Sequence, residues 1–267
     1  MEKQQYGIPF APGKSEVVET VIVNVSTAFF RDKIKIGTDA GHITLINMQT
    51  EDVGHTLEKY NGRLLCITRR GIAAMFEHDC NDALQFAITL CQDAALRERR
   101  ELFKGIGIGI GYGSLCLGTV GYKDLCMPLM MSETMDTVTA LSESAQKYNS
   151  RILVTGDAMA RLSGSKQFNS RRLGMIYHKS ADISEEIYDV YDGDLADTKY
   201  SKMRSRLFFE TGVKLFLKGA YLEARTYFIE ILKADRNDAA AKQYVFKCDN
   251  CMADETDDNE KKYLEIW

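Results

Sequence analysis

Three stretches of this chain place chemically useful residue types at short spacing. The run Gly105-Ile106-Gly107-Ile108-Gly109-Ile110-Gly111-Tyr112-Gly113 sets a glycine at every second position. A phosphate cradle needs another arrangement. A dinucleotide fingerprint reads G-x-G-x-x-G at the mouth of a helix, and a P-loop follows its second glycine with Lys and a hydroxyl. Neither pattern is present, and a period of two describes instead a strand with one face stripped of side chains, on which something packs closely. Cys248-Asp249-Asn250-Cys251 is a lone C-x-x-C without the second pair or the histidines that zinc requires. Arg69-Arg70-Gly71 is a basic turn. His42, His55, His78 and His178 lie scattered without ligand spacing, and no serine sits in a nucleophile elbow. Spacing alone yields no catalytic constellation, no metal site and no cofactor.

The elements that must position these residues follow from periodicity. Residues 17–25 are rich in β-branched side chains and read as a central strand. Residues 37–60 and 79–100 read as long helices, with a hairpin over 63–68 and 72–77 between them that turns at Arg69-Arg70-Gly71. The glycine-faced strand is expected to turn at Gly113-Ser114 into a second strand, 115–120. A helix over 134–148, a strand over 151–155, a short helix over 157–162 and a strand pair at 170–178 and 186–191 complete the pattern. Helices interleaved with hairpins imply a mixed, mostly antiparallel sheet with helices packed on it, an α+β sandwich.

A polar connector is expected over 194–202, and helices at 203–218, 220–233 and 238–251 after it. The stretch from Gly212 through Phe216, Gly219, Tyr221, Ala224 and Phe228 to Ala240 resembles a single tetratricopeptide repeat, so 203–252 is expected to form a small all-α unit. One such repeat cannot bury its own face. Its aromatic side chains must dock on the first domain or on a partner. Residues 1–14 read as an extended arm and 253–267 as a charged tail.

Composition narrows the function classes. The chain has 267 residues, with 45% hydrophobic and 27% charged side chains, which excludes disordered, collagen-like and disulfide-scaffold classes. A net charge of −4 argues against a protein whose main task is to coat nucleic acid or anionic lipid. No apolar run is long enough for a membrane-spanning helix. Seven cysteines, an odd number, fit free thiols in a reducing compartment. A cytoplasmic setting follows, with association to the cytoskeleton as one form of it.

The string Ile108-Gly109-Ile110-Gly111-Tyr112-Gly113-Ser114-Leu115-Cys116-Leu117-Gly118-Thr119-Val120-Gly121 has the layout I-G-I-x-x-G-x-x-x-x-G-x-x-G. With the strand Val21 to Val25, Asn61-Gly62 followed by Gly71 to Phe76, Arg151 to Thr155, and Arg172-Leu173-Gly174 with Ile187 to Tyr191, it resembles the catalytic domain of class III adenylate and guanylate cyclases over about residues 15–193. The resemblance implies a ferredoxin-like cyclase sandwich that pairs with a second such domain. It also implies that two Asp residues should hold two divalent metals on a nucleoside triphosphate. The aligned positions are Asn24 and Arg70, a weak ligand and a repelling one. The Asn and Arg expected to meet ribose and phosphates align with Asp136 and Ala140, and the purine-reading positions with Cys66 and Leu129. Lys179 stands where a phosphate-contacting Lys is expected.

These replacements lead to the expectation of a chain that is not an enzyme. It would instead act as a scaffold or assembly subunit of a cytoplasmic or cytoskeletal complex, through a second cyclase-like domain or through its C-terminal helices. The alternative is a divergent cyclase using other residues, with Asp32, Asp39 and Glu133 as the nearest spare carboxylates. A further expectation is that Arg69 and Arg70, with Lys179, bind an anion in place of metal charge.

Overall fold

The computed structural model describes residues 12–33, 40–77, 79–96, 102–122, 125–163, 168–178, 182–253 and 262–266. Strands β1 (Ser15–Ser26), β2 (Arg63–Thr68), β3 (Gly71–Phe76), β4 (Gly107–Tyr122), β5 (Leu125–Met131), β6 (Ile152–Thr155), β7 (Ser170–His178) and β8 (Ile183–Val190) form one sheet. Its order is β2-β3-β1-β4-β6-β8-β7, with β5 paired to β4 off that path. Among these pairings only β4 with β6 is parallel. The α+β sandwich expected from the element order is therefore the observed architecture.

Alternation along β1 assigns the two faces. Val21, Val23 and Val25 enter a core with helices α1 (Ala40–Lys59) and α2 (Cys80–Leu96), while Ile22 belongs to a cluster on the opposite face with Val138. Val138 lies on α3 (Glu133–Ser144), which covers the glycine-stripped face of β4. An added Cβ would stand 2.1 Å from Ser142 O at Gly107, 2.0 Å from Val138 O at Gly109, and 2.2 Å from Thr134 Oγ1 at Gly113. The glycines thus admit a helix backbone against the sheet, the close approach that the period of two implies. Ser132 caps this helix by accepting from Met135 N at 3.2 Å.

Two expectations about chain path need correction. Gly113-Ser114 is not a turn: β4 runs on through it, paired to β1 at Gly113 with Thr20 and Ser114 with Glu19. Its hairpin partner is β5, which the sequence reading left unassigned. Nor is 194–202 a linker, because α5 (Ala196–Leu217) already begins within it. Two of its charged residues, Asp194 and Lys202, belong to a buried ionic network.

Helices α5, α6 (Tyr221–Ala234) and α7 (Ala239–Ala253) dock on the sheet and complete its second layer beside α3. Phe209, Phe216, Phe228 and Tyr244 share one buried cluster with Leu173, Ile176 and Ile187 of β7 and β8. Cys248 and Cys251 of α7 are buried in that cluster. The end of the chain joins it too: Leu264 and Ile266 are buried, and Leu264 N donates to Met175 O at 2.6 Å. The expected tail is therefore anchored at 262–266, where its apolar residues lie. Residues 1–11 and 254–261 fall outside the described set.

A buried ionic network ties the helices to the sheet. Arg171 of β7 is fully buried and donates to Asp189 of β8 at 3.0 Å and to Asp238, just before α7, at 2.6 Å. Lys202 of α5 donates to Asp189 and, at 2.6 Å, to Asp194. The Arg171 guanidinium also lies over the Phe209 ring, 4.1 Å from its centroid. Desolvation of these charges is offset mainly by each other, so the network fixes the docking geometry more surely than it adds stability.

Candidate functional site

Asn24 and Arg70 do converge. Asn24 lies on the α3 face of β1, 2% exposed, opposite Ala73 of β3 and Gly109 of β4. Its Nδ2 donates to Ser142 Oγ at 2.7 Å, and that hydroxyl donates to Thr139 O at 2.8 Å. Arg70 sits in the β2–β3 turn. Gly71 follows it with φ at 147°, and a Cβ there would stand 2.4 Å from Val25 O, so the turn presses against the end of β1. From this position Arg70 donates through Nε at 3.0 Å and Nη2 at 2.7 Å to Glu143 Oε2. Two consecutive residues of α3, Ser142 and Glu143, thereby hold the two positions at which the resemblance expects metal-bound carboxylates.

Two neighbours complete the group, and the sequence reading did not single out either. Arg31 lies in a π-helical turn, Phe29–Lys33, directly after β1. Its Nη2 donates to Gly105 O at 2.6 Å, while its Nη1 is buried without a hydrogen-bond partner. Burial pushes its pKa down, against the opposing pull of Asp32 and Glu143. Ser26, at the end of β1, is fully buried with its Oγ unpartnered. No local spacing marks either residue, since both acquire their surroundings from Gly105–Gly107 and α3, far along the chain.

The other expected residues are not part of this group. Asp136 is exposed in the first turn of α3, about two turns from Glu143. Ala140 is fully buried in the apolar cluster shared with the C-terminal helices. Its small side chain keeps that packing closed where the resemblance expects a phosphate-facing Arg. Cys66 is half-buried and burial pushes its thiol pKa up, Leu129 is exposed on β5, and Arg69 is exposed beside Arg70. Lys179 and Asp39 lie outside the described residues.

The donor set does not fit a pair of divalent cations. Asn24 can offer a cation only a neutral amide oxygen, a weaker ligand than a carboxylate, and a guanidinium repels one. Among the described residues no group of three His, Cys, Asp or Glu side chains could hold a metal ion. A separate open cavity of about 710 Å³ lies between the start of α3, the helix α4 (Gly156–Ala160) and the β7–β8 hairpin. It is lined by Tyr112, Glu133, Asp157, Glu185, Glu186 and Tyr188, with acidic groups that do not suit a phosphate chain.

Comparisons with known proteins bear on the fold and the chemistry. No family model matches the chain. It is 27% identical over 143 residues to a terminal-differentiation specific adenylate cyclase of Dictyostelium discoideum, a match covering 53% of this chain and 7% of that protein. It is 22% identical over 160 residues to an adenylate cyclase of Anabaena cylindrica, covering 56% and 30% respectively. The chain therefore spans less than a third of the length of these curated relatives. Among solved structures, a bacterial light-regulated adenylyl cyclase aligns with a TM-score of 0.58 at 14% identity, over 74% of this chain and 59% of that one. The adenylyl cyclase CyaB from P. aeruginosa aligns at 0.54 and 15%, over 66% and 95%. The guanylyl cyclase Cya2 aligns at 0.53 and 13%, over 67% and 94%. The fold is that of a class III adenylate/guanylate cyclase catalytic domain.

These findings overturn one expectation. The chain was expected not to be an enzyme because Asn24 and Arg70 replace carboxylates, yet both curated relatives are named adenylate cyclases and the aligned structures are cyclases. Replacement of ligands is a statement about metal affinity, and it does not by itself exclude turnover. The scaffold and cytoskeletal roles and the tetratricopeptide assignment receive no support from the comparisons. No helix among the described residues is long and apolar enough to cross a membrane.

Proposed function

We propose that this chain is a divergent nucleotidyl cyclase domain that converts ATP or GTP to a cyclic nucleotide and works paired with a second cyclase-like domain. The observation that carries the reading is similarity to an adenylate cyclase at 27% identity over 143 residues, joined to a cyclase fold. In the reaction the 3′-hydroxyl oxygen attacks the α-phosphorus. The bond from that phosphorus to the bridging oxygen breaks, pyrophosphate leaves and the hydroxyl proton passes to solvent water.

Charge builds on the phosphate chain in such a displacement, and preorganised donors aimed at it lower the barrier. Arg69, Arg70 and Lys179 are the residues proposed to meet that chain. No step is assigned to a resident divalent cation, because Asn24 and Arg70 are unsuited to hold one. Pairing is supported by the β4–β5 hairpin, whose Val120, Tyr122, Leu125, Met127, Leu129 and Met131 are exposed. An apolar edge of this kind calls for a cover.

The test is a cyclase assay on purified protein with ATP and with GTP, in Mg²⁺ and in Mn²⁺, alongside its mass by light scattering. Cyclic nucleotide above background from a dimeric sample is the expected result. A folded dimer that forms neither product refutes the reading.

A further inference from the structure

Helix α1 turns a stripe of side chains toward the core at positions 45, 49, 53 and 57, the i, i+4 spacing of one helix face. Leu45, Val53 and Leu57 pack there as such a stripe requires, and Gln49 stands among them, fully buried. Its Oε1 accepts from Thr27 Oγ1 at 3.3 Å, while its Nε2 is buried with no partner. An amide left half-satisfied in a core is costly, and buried donors are nearly always paired.

Gln49 also lines a cavity of about 400 Å³ between α1, the π-helical turn Phe29–Lys33 and the segment ahead of β4 that holds Leu102 and Lys104. Its lining is graded in polarity. Phe29 is buried, Leu45 and Leu102 are half-buried, and Asp32 and Lys104 are exposed. The open amide thus belongs to a largely apolar recess whose charges lie at its exposed rim. Ala28 N donates to Lys104 O at 2.9 Å, which holds the π-turn to the segment ahead of β4. The space is far larger than a single ordered water needs, and apolar walls give further waters few partners. Its size, and its few polar groups among apolar ones, are those of a small-molecule site. The π-turn that forms one wall is a rare conformation, met frequently at functional sites.

We infer that this recess binds a small organic molecule whose apolar body lies against Phe29, Leu45 and Leu102 and whose carbonyl oxygen accepts from Gln49 Nε2. The acceptor is a neutral one. The cation of the lining, Lys104, is exposed at the rim, and a buried carboxylate needs a charge beside it. Any polar remainder of the ligand stays at the mouth with Asp32 and Lys104. Asn24 and Arg70 do not line this recess, so the inference does not depend on the cyclase reading.

The test uses acetophenone, an aromatic ring with one carbonyl acceptor, and toluene, which lacks the acceptor. Each is titrated into the full chain, and the side-chain amides are followed in ¹H–¹⁵N correlation spectra, with thermal unfolding of every variant run in parallel. Saturable binding of acetophenone is expected with a Kd on the order of 1 mM, which is what so small a ligand provides. The Gln49 amide pair should shift as the site fills. Gln49→Met keeps the length of the side chain and removes the amide, so the affinity for acetophenone relative to toluene should fall about tenfold, the worth of one hydrogen bond. Leu45→Trp fills the recess and leaves Gln49 in place, so it should abolish binding of both compounds. If Gln49→Met fails to fold, the shift of the Gln49 amide in wild type and its loss in Leu45→Trp decide the matter. An affinity ratio unchanged by Gln49→Met, or acetophenone binding that survives Leu45→Trp, overturns the inference. So does the absence of a saturable shift at tens of millimolar acetophenone from folded wild-type protein, the outcome expected if an ordered water alone serves Gln49 Nε2.

Discussion

Gly109→Ala is the smallest change that tests how α3 is held over the sheet. The added Cβ would stand 2.0 Å from Val138 O, 2.8 Å from Val138 C and 3.0 Å from Val138 Cα, all backbone atoms of α3. A carbon and a carbonyl oxygen approach to about 3.3 Å at closest, so the helix must retreat by more than ~1 Å. It is not free to do so. Asn24 ties Ser142 to β1, and Gln146, just past the helix, donates to Ile106 O at 2.8 Å. Overpacking of this kind costs about 1–3 kcal/mol, and more where backbone opposes backbone. The matched control is Gly54→Ala in α1, where a Cβ meets nothing within 4 Å. There the substitution should stabilise by about 0.5–1 kcal/mol, because alanine loses less backbone freedom in a helix. Urea unfolding followed by far-ultraviolet circular dichroism reads both. The same chemical change is thus expected to carry opposite signs at two sites. If Gly109→Ala lies within ~0.5 kcal/mol of wild type, or Gly54→Ala is the more damaging, the close approach of α3 is wrong.

Two further outcomes follow from the buried network. Asp238→Ala leaves Arg171 short of a carboxylate in a fully buried setting and removes the cap on α7, where Asp238 accepts from Ala241 N at 3.0 Å. The expected loss is about 3–5 kcal/mol for the charge and ~1 kcal/mol for the cap, read by thermal unfolding; a loss under ~1 kcal/mol would show that the helices do not depend on this link. Asp194 behaves oppositely. Burial, ahead of the attraction of Lys202, pushes its pKa from 3.8 up to about 6. The folded state therefore binds its proton more tightly than the unfolded chain, and stability from this group falls as pH rises from about 4 to about 6. Asp194→Asn should flatten that part of the stability profile and cost little at neutral pH, measured as unfolding midpoint against pH. An unchanged slope would refute the assignment. Asp238, held below the ordinary carboxylate range by Arg171 despite its burial, contributes with the reverse sign, its stabilisation being lost on acidification.

Periodicity revealed what short-range geometry controls. The glycine stripe at 107–113 predicts a close-packed neighbour, and α3 is that neighbour, because a period of two leaves no other use for glycines on one strand face. The same stripe misled at Gly113. A glycine followed by serine resembles a turn, but continued pairing with Thr20 and Glu19 keeps the strand extended, and that pairing lies far away in sequence. The C-terminal helices were legible as helices from 203 onward, but neither the first turns of α5 at 196–202 nor the role of all three as the second layer of the sandwich was. Their docking is decided by Arg171, Asp189, Asp194, Lys202 and Asp238, charged residues whose burial no local pattern announces.

The candidate site shows the same limit more sharply. Sequence alone identifies Asn24 and Arg70 as replaced positions, and taken singly each replacement reads as loss. Their structural partners change that meaning. Ser142 accepts from the amide of Asn24, and Glu143 takes the guanidinium of Arg70, so the acidic group of this region stands on α3 and the basic one on the turn. Restoring a carboxylate by Arg70→Asp alone would set it against Glu143 with no cation between them, a like-charge pair. The residues at these positions fit one another: an amide donates to a hydroxyl, a guanidinium donates to a carboxylate, and a second guanidinium, Arg31, feels that same carboxylate. Arg31 and Arg70 both act on Glu143, one through space and one through two hydrogen bonds, so neutralising that carboxylate unbalances two guanidinium groups at once.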